Sequence, residues 1–364
     1  MVSNESVHQV KLFEPLQLGE ITVLNRIMIS PMCQYCAADA VPHDWHFVHL
    51  ASRAVGGAGI VITEATAVEP AGRITPFDVG LWNKEQESAF SRIASFVSDQ
   101  GAVPGIQLAH AGRKASHTRP WEGGRPLTPE EGGWHVVGPS PIPWEVGDLT
   151  PRELTADDIA RLIKKYQFAA KRALRAGFRL LELHAAHGYL FHSFLSPLTN
   201  QRKDSYGGNF EARSRFLLET VKAIRDVWPS SLPLFVRLSA TDWVEGGWKL
   251  ADTVRLAKFL STMGVNAIDC SSGGIVPEER IKVHAGYQVP FAETVRREAE
   301  VRTVAVGLIS EPTFAEEIVA NGRADLVAIG RLALWNPYWP YHAAKVLKAK
   351  VSLPIQYTRS DIFA

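Results

Sequence analysis

The stretch that decides the fold is Phe178-Arg-Leu-Leu-Glu-Leu-His184-Ala-Ala-His187-Gly-Tyr189. Its short apolar run predicts a strand over 178–184. A segment of helical periodicity, 156–176, precedes it, opened by Thr155 with Asp158 as a capping box and stopped by Gly177. The same alternation recurs on both sides. Strands are predicted at 26–32, 59–66, 103–109, 233–239, 266–271, 303–307 and 325–330, and helices at 45–55, 85–100, 210–227, 251–263, 287–300, 311–321 and 337–347. Gly101, Gly264 and Gly322 supply further stops after the last helical turn. Eight strand–helix pairs predict an α/β fold, a closed (β/α)8 TIM barrel. No composition shift marks a linker and no repeat appears beyond the βα period, so residues 1–364 read as one domain. The irregular stretch is 115–151, after strand three. It is rich in proline and glycine, carries Trp121, Trp134 and Trp144, and reads either as a lid or specificity loop over the catalytic face or as a surface excursion with its own small apolar cluster.

Composition excludes several classes. With 46% hydrophobic and 21% charged residues the chain is an ordinary globular protein with a sizeable core. A net charge of +1, without a run of basic residues, argues against a nucleic-acid partner. Cys33, Cys36 and Cys270 are too few and too odd a set for a disulfide framework and suit a reducing cytoplasm. Residues 1–11 are polar, without a signal-peptide apolar core, and no stretch of about 18 apolar residues could span a bilayer.

In a (β/α)8 barrel the chemistry sits at the carboxyl ends of the strands. Those ends read here as Ser30-Pro31-Met32-Cys33, Glu64-Ala65-Thr66, Gln107-Leu108-Ala109-His110, His184 through Tyr189, Arg237, and Gly330-Arg331. Imidazoles that donate hydrogen bonds can hold a carbonyl or nitro oxygen and stabilise charge developing there, and a tyrosine hydroxyl within reach can act as a general acid. A metal reading stands beside this one, with His184 and His187 as ligands and His110 and Glu182 nearby. Hydride chemistry requires a carrier, because no side chain performs it. The chain has no G-x-G-x-x-G, which removes a Rossmann half and leaves the loops after strands seven and eight as the phosphate site, through Gly307, Gly330 and Arg331.

Taken together, the motifs N25-R-I-M-I-S-P-M-C33-Q-Y35, I106-Q-L-A-H-A-G-R-K114, E182-L-H-A-A-H-G-Y189 with S-P-L-T-N-Q-R202, Y206-G-G and I329-G-R331 resemble the Old Yellow Enzyme family of FMN ene-reductases. The resemblance runs from Leu12 to Arg359, and Cys33 together with the Q-Y-T-R tail resembles the thermophilic-like, xenobiotic-reductase branch. It implies an enzyme with tightly bound, non-covalent FMN and NADPH or NADH as hydride donor, reducing the C=C bond of electron-poor alkenes such as α,β-unsaturated carbonyl or nitro compounds. Ser30, Pro31, Met32, Cys33, Ala65 and Gln107 would contact the flavin ring, and Arg237 would place positive charge near its N1. Cys33 would tune its potential. Gly307, Gly330 and Arg331 would hold the phosphate. His184 and His187 would grip the substrate oxygen, Tyr189 would protonate the α-carbon, and Tyr35 would add a hydrogen bond to substrate. Arg359, in the tail 351–364, would reach a neighbouring subunit's site, which implies a homodimer or a dimer of dimers. The resemblance gives no role to a metal, a membrane or a nucleic acid. An RNA-acting FMN barrel would want a basic face, and an iron–sulfur barrel more cysteines, than this chain supplies.

Overall fold

The computed structural model describes residues 10–363. The polar segment 1–9 and residue 364, at the end of the expected tail, lie outside the described residues. Eight parallel strands close a barrel in chain order: β1 (Ile27–Ile29), β2 (Ile60–Ala67), β3 (Val103–Ala109), β4 (Leu180–Ala185), β5 (Leu234–Ser239), β6 (Ala267–Ser271), β7 (Arg302–Val306) and β8 (Leu326–Ile329). β8 returns to pair with β1 through Val327–Ile27 and Ile329–Ile29. The strands β2 to β6 are buried along their whole length, as strands packed on both faces must be, and they read as mostly apolar runs interrupted by polar residues such as Glu64, Gln107, Glu182, Arg237 and Asp269 rather than as an in/out alternation.

Helices α1 (Asp44–Val55), α2 (Lys84–Asp99), α3 (Ala156–Arg175), α4 (Phe210–Arg225), α5 (Leu250–Thr262), α6 (Val289–Ala299), α7 (Pro312–Ala320) and α8 (Trp339–Leu347) form the outer ring. Every expected strand and helix is present, with ends displaced by a few residues. The capping box before α3 forms as its residues predict: Asp158 N–H donates to Thr155 Oγ1 at 3.1 Å and Thr155 N–H to Asp158 Oδ2 at 3.0 Å. Gly101, Gly177, Gly264 and Gly322 all take positive φ, between 68° and 93°, where a side chain would be strained.

Three features were not readable. A hairpin, Leu16–Leu18 with Ile21–Val23, buries Leu16, Leu18, Ile21 and Val23 in the core. Its turn binds the lower end of the barrel, Glu20 N–H donating to Ser231 O just before β5. Two short helices, Leu190–Leu195 and Arg331–Trp335, follow β4 and β8 at the upper end. The irregular stretch after β3 contains 3-10 turns at Pro120–Glu122 and Pro129–Glu131 and a short ladder, Val137–Gly138 with Arg152–Glu153. No helix among the described residues is long and apolar enough to cross a membrane.

Candidate active site

Register brings the polar strand ends together. Ala65 on β2 lies opposite Gln107 on β3, Gln107 opposite Glu182 on β4, His184 opposite Arg237 on β5, and Arg237 opposite Asp269 on β6. The β2–β3 pairing shifts between Ile62 and Ala65, an irregularity of the kind that re-aims side chains beside functional sites. Beneath the mouth, Gln107 Nε2 donates to Glu182 Oε1 at 2.8 Å, and Arg237 Nε lies 3.1 Å from Asp269 Oδ2. That ion pair is close but poorly directed: Arg237 Nε and both Asp269 oxygens lack a well-aimed hydrogen bond. Burial and then the charge of Asp269 hold the Glu182 carboxyl well above the ordinary carboxylate range.

β4 ends at Ala185, and the chain then turns through His187 at φ 60° and Gly188 at φ 76°. This left-handed turn defeats the period of a strand and lets two imidazoles three residues apart meet edge to face, ring centres 5.0 Å apart. His184 Nε2 stands 3.3 Å from His187 Nδ1, while His187 Nε2 stands 2.6 Å from Ser271 Oγ. The turn is pinned from three sides. His187 N–H donates to Ser239 Oγ at 2.9 Å, Lys114 Nζ donates to His187 O at 3.0 Å, and Gly188 N–H donates to Nδ1 of the buried His192 at 2.9 Å. His192 in turn is held by Asp242 at 2.8 Å. Burial, reinforced by the Arg237 guanidinium, drives both site imidazoles far below the ordinary histidine range, so they are neutral. Tyr189 sets its ring perpendicular to His184 at 4.8 Å, and burial raises its hydroxyl pKa, keeping the phenol protonated.

Ser30 to Tyr35 form the opposite lip. Glu64 Oε2 accepts from Gln34 N–H at 3.0 Å and so fastens this segment to β2. Cys33 is a partly exposed free thiol whose pKa is pushed up first by burial and then by the charge of Glu64. Tyr35, at φ 50°, packs edge to face on Trp121 of the 115–151 stretch at 5.9 Å. The root of that stretch is tied down as well: Lys114 Nζ reaches Gly274 O at 2.9 Å, and Arg113 reaches Pro143 O at 2.9 Å and Ile275 O.

Beside the lips opens a cavity of about 550 Å³ lined by Ser30, Met32, Arg237, Ser271, Gly307, Gly330 and Arg331 among others. Gly307 has φ 133°, and a Cβ there would meet Gln288 N and the Tyr287 ring at 3.3 Å, so only glycine leaves the backbone open at this wall. Gly330 caps the short helix that begins at Arg331. An open glycine backbone, a helix start and an arginine fit a phosphate, and the under-bonded Arg237 fits a polar ring edge. The residues present therefore fit FMN.

Of the expected site residues, Ser30, Met32, Arg237, Gly307, Gly330 and Arg331 line this cavity and His184, His187 and Tyr189 cluster together, whereas Arg359 lies apart. It is exposed on the terminal 3-10 helix Ile355–Phe363, which leans on the start of α8 through Tyr357 and Tyr338. Of the metal reading, His184 and His187 do meet, while His110 Nε2 lies instead 3.0 Å from Glu69 and Glu182 faces Gln107 below the mouth. Sequence reading missed Ser271, Ser239, Lys114, Gln288 and the His192–Asp242 pair as supports of the site. Only Lys114, inside A-H-A-G-R-K, and His192, four residues beyond Gly188, carried a local signal.

Comparison with known proteins agrees with this geometry. Residues 11–350 match the NADH:flavin oxidoreductase / NADH oxidase family. An NADPH dehydrogenase of Geobacillus sp. (strain WCH70) is 47% identical over 353 residues, covering 96% of this chain and 98% of that protein. Among solved structures, morphinone reductase in complex with tetrahydroNAD superimposes with a TM-score of 0.77 at 30% identity, covering 94% of this chain and 92% of its own. The Old Yellow Enzyme homologue from Zymomonas mobilis gives 0.77 at 26% identity, covering 95% of each chain. Fold and site together define a flavin-dependent barrel oxidoreductase. The chain belongs to the NADH:flavin oxidoreductase / NADH oxidase family, the Old Yellow Enzyme family that its motifs resemble.

Proposed function

We propose that the protein is an NADPH-dependent ene-reductase that saturates the C=C bond of α,β-unsaturated carbonyl or nitro compounds. The observation that carries this reading is the convergence of two neutral imidazoles, His184 and His187, beside Tyr189, with His187 in contact with Ser271 on the wall of the cofactor cavity. FMN, reduced by the nicotinamide, supplies the hydride. Ser30, Pro31, Met32, Cys33, Ala65 and Gln107 bound its ring, Arg237 stabilises negative charge at its polar edge, and Gly307, Gly330 and Arg331 hold its phosphate. His184 and His187 donate to the activating oxygen of the alkene and stabilise the charge that collects there. The Tyr189 hydroxyl, protonated throughout the physiological range, delivers a proton to the carbon beside that activating group. Tyr35 donates to the substrate from the opposite lip, and Trp121 packed against it supports a specificity role for the 115–151 stretch.

The name of the Geobacillus relative supports NADPH as donor. The exposure of Arg359 supports its use by a neighbouring copy in a homodimer or dimer of dimers. Free thiols at Cys33, Cys36 and Cys270 support a reducing compartment, the cytoplasm. The test is anaerobic: purified protein carrying FMN is bleached with NADPH and then mixed with 2-cyclohexenone. The flavin absorbance returns at a rate set by enone concentration. A protein that binds no flavin after reconstitution, or stays bleached with the enone, refutes the reading.

A further inference from the structure

Ala186 N–H donates to His184 Nδ1 at 3.2 Å. A neutral imidazole that accepts at Nδ1 carries its proton at Nε2, so His184 is fixed as an Nε2 donor, aimed at His187. His187 is not fixed in this way. Its Nε2 contacts only a hydroxyl, Ser271 Oγ at 2.6 Å, and a hydroxyl can donate or accept. Ser271 is buried, and its Oγ also lies 3.4 Å from Gln288 Oε1, a second acceptor for its proton.

Two proton patterns therefore suit the same heavy atoms. In one, His184 Nε2–H donates to His187 Nδ1, His187 Nε2–H donates to Ser271, and the Ser271 hydroxyl donates to Gln288. Every proton then has an acceptor within the protein. In the other, Ser271 donates to His187 Nε2 and His187 carries its proton at Nδ1. Two N–H groups, on nitrogens 3.3 Å apart, now point toward each other and are satisfied only by an acceptor placed against both.

We propose that Ser271 is the positioning residue that switches His187 between these patterns: an entering carbonyl, nitro or phenolate oxygen reverses the Ser271 hydroxyl and turns His187 from acceptor to donor. The proposal rests on the oxygen-gripping role of the histidine pair. One proton moves from Nε2 to Nδ1 of the same ring by way of solvent water, with no net uptake or release. The site thereby selects ligand oxygens able to accept two hydrogen bonds.

The test is long-range proton–nitrogen NMR of the oxidised holoenzyme labelled with 15N-histidine, with and without 2-cyclohexenone and no NADPH. His187 is expected at Nε2–H when free and at Nδ1–H with enone, while His184 stays Nε2–H. Ser271→Ala should abolish the change and weaken enone binding about tenfold, the loss of roughly one hydrogen bond. Ser271→Thr, which keeps the hydroxyl, should restore both, and all three proteins should retain FMN. An unchanged His187 tautomer with both histidine spectra perturbed by enone overturns the switch alone. Spectra indifferent to enone overturn the oxygen grip as well.

Discussion

His187 occupies the left-handed region at φ 60°, and that single backbone choice converts two histidines three apart into a facing pair. Residue-scale predictions follow from it. Replacing His184 and His187 together with alanine should weaken a phenolic ligand by at least tenfold and leave FMN affinity nearly unchanged, as titrations of each report. Equal losses would mean that the pair serves the fold. Tyr189→Phe should slow reoxidation by an alkene about a hundredfold in stopped flow, the range of a general acid, and spare reduction by NADPH. Glu182 gives a pH dependence. Its folded pKa lies above its unfolded one, so the folded state binds the extra proton, and the stability this gives is complete below about pH 4.5 and is lost as pH rises through the raised value. Urea midpoints should fall across that window, and Glu182→Gln should flatten the fall. The strand-end histidines and Tyr189 were legible because a barrel places strand ends at its mouth. Ser271 and Asp242 were not, because the partners they serve lie 84 and 50 residues away in the chain.

At the scale of elements, local chemistry was the better guide where it was strong. Thr155 with Asp158 and the glycines after the helices marked ends that the structure keeps. Thr155→Ala should cost about 1 kcal/mol in chemical denaturation, with no change in flavin binding, because α3 lies on the outer ring. A much larger loss would show that the turn before α3 also braces the loop that precedes it. The hairpin and the two short helices escaped notice because runs of three to six residues carry too little periodicity to separate from loop. Strand type was legible for the opposite reason: burial on both faces makes the runs mostly apolar, broken at few polar positions.

For the whole molecule, the closed ring of eight strands followed from counting, since eight βα units have few other ways to bury every strand. What counting could not give is the surface. Trp335 and Ile355 are 90% and 81% exposed, on the short helix after β8 and in the terminal segment that also carries the exposed Arg359. Removing residues 351–364 should leave FMN bound and the barrel folded while lowering the assembled mass in light scattering. Unchanged mass would refute the proposed contact through this tail.

The hairpin seated under the barrel has a kinetic meaning. Leu16, Leu18, Ile21 and Val23 pack into the core at the lower end, while the cavity that fits the flavin opens at the strand ends opposite. On the proposed function nicotinamide and alkene share that upper cavity in turn, so double-reciprocal plots should be parallel and a surplus of either should obstruct the other.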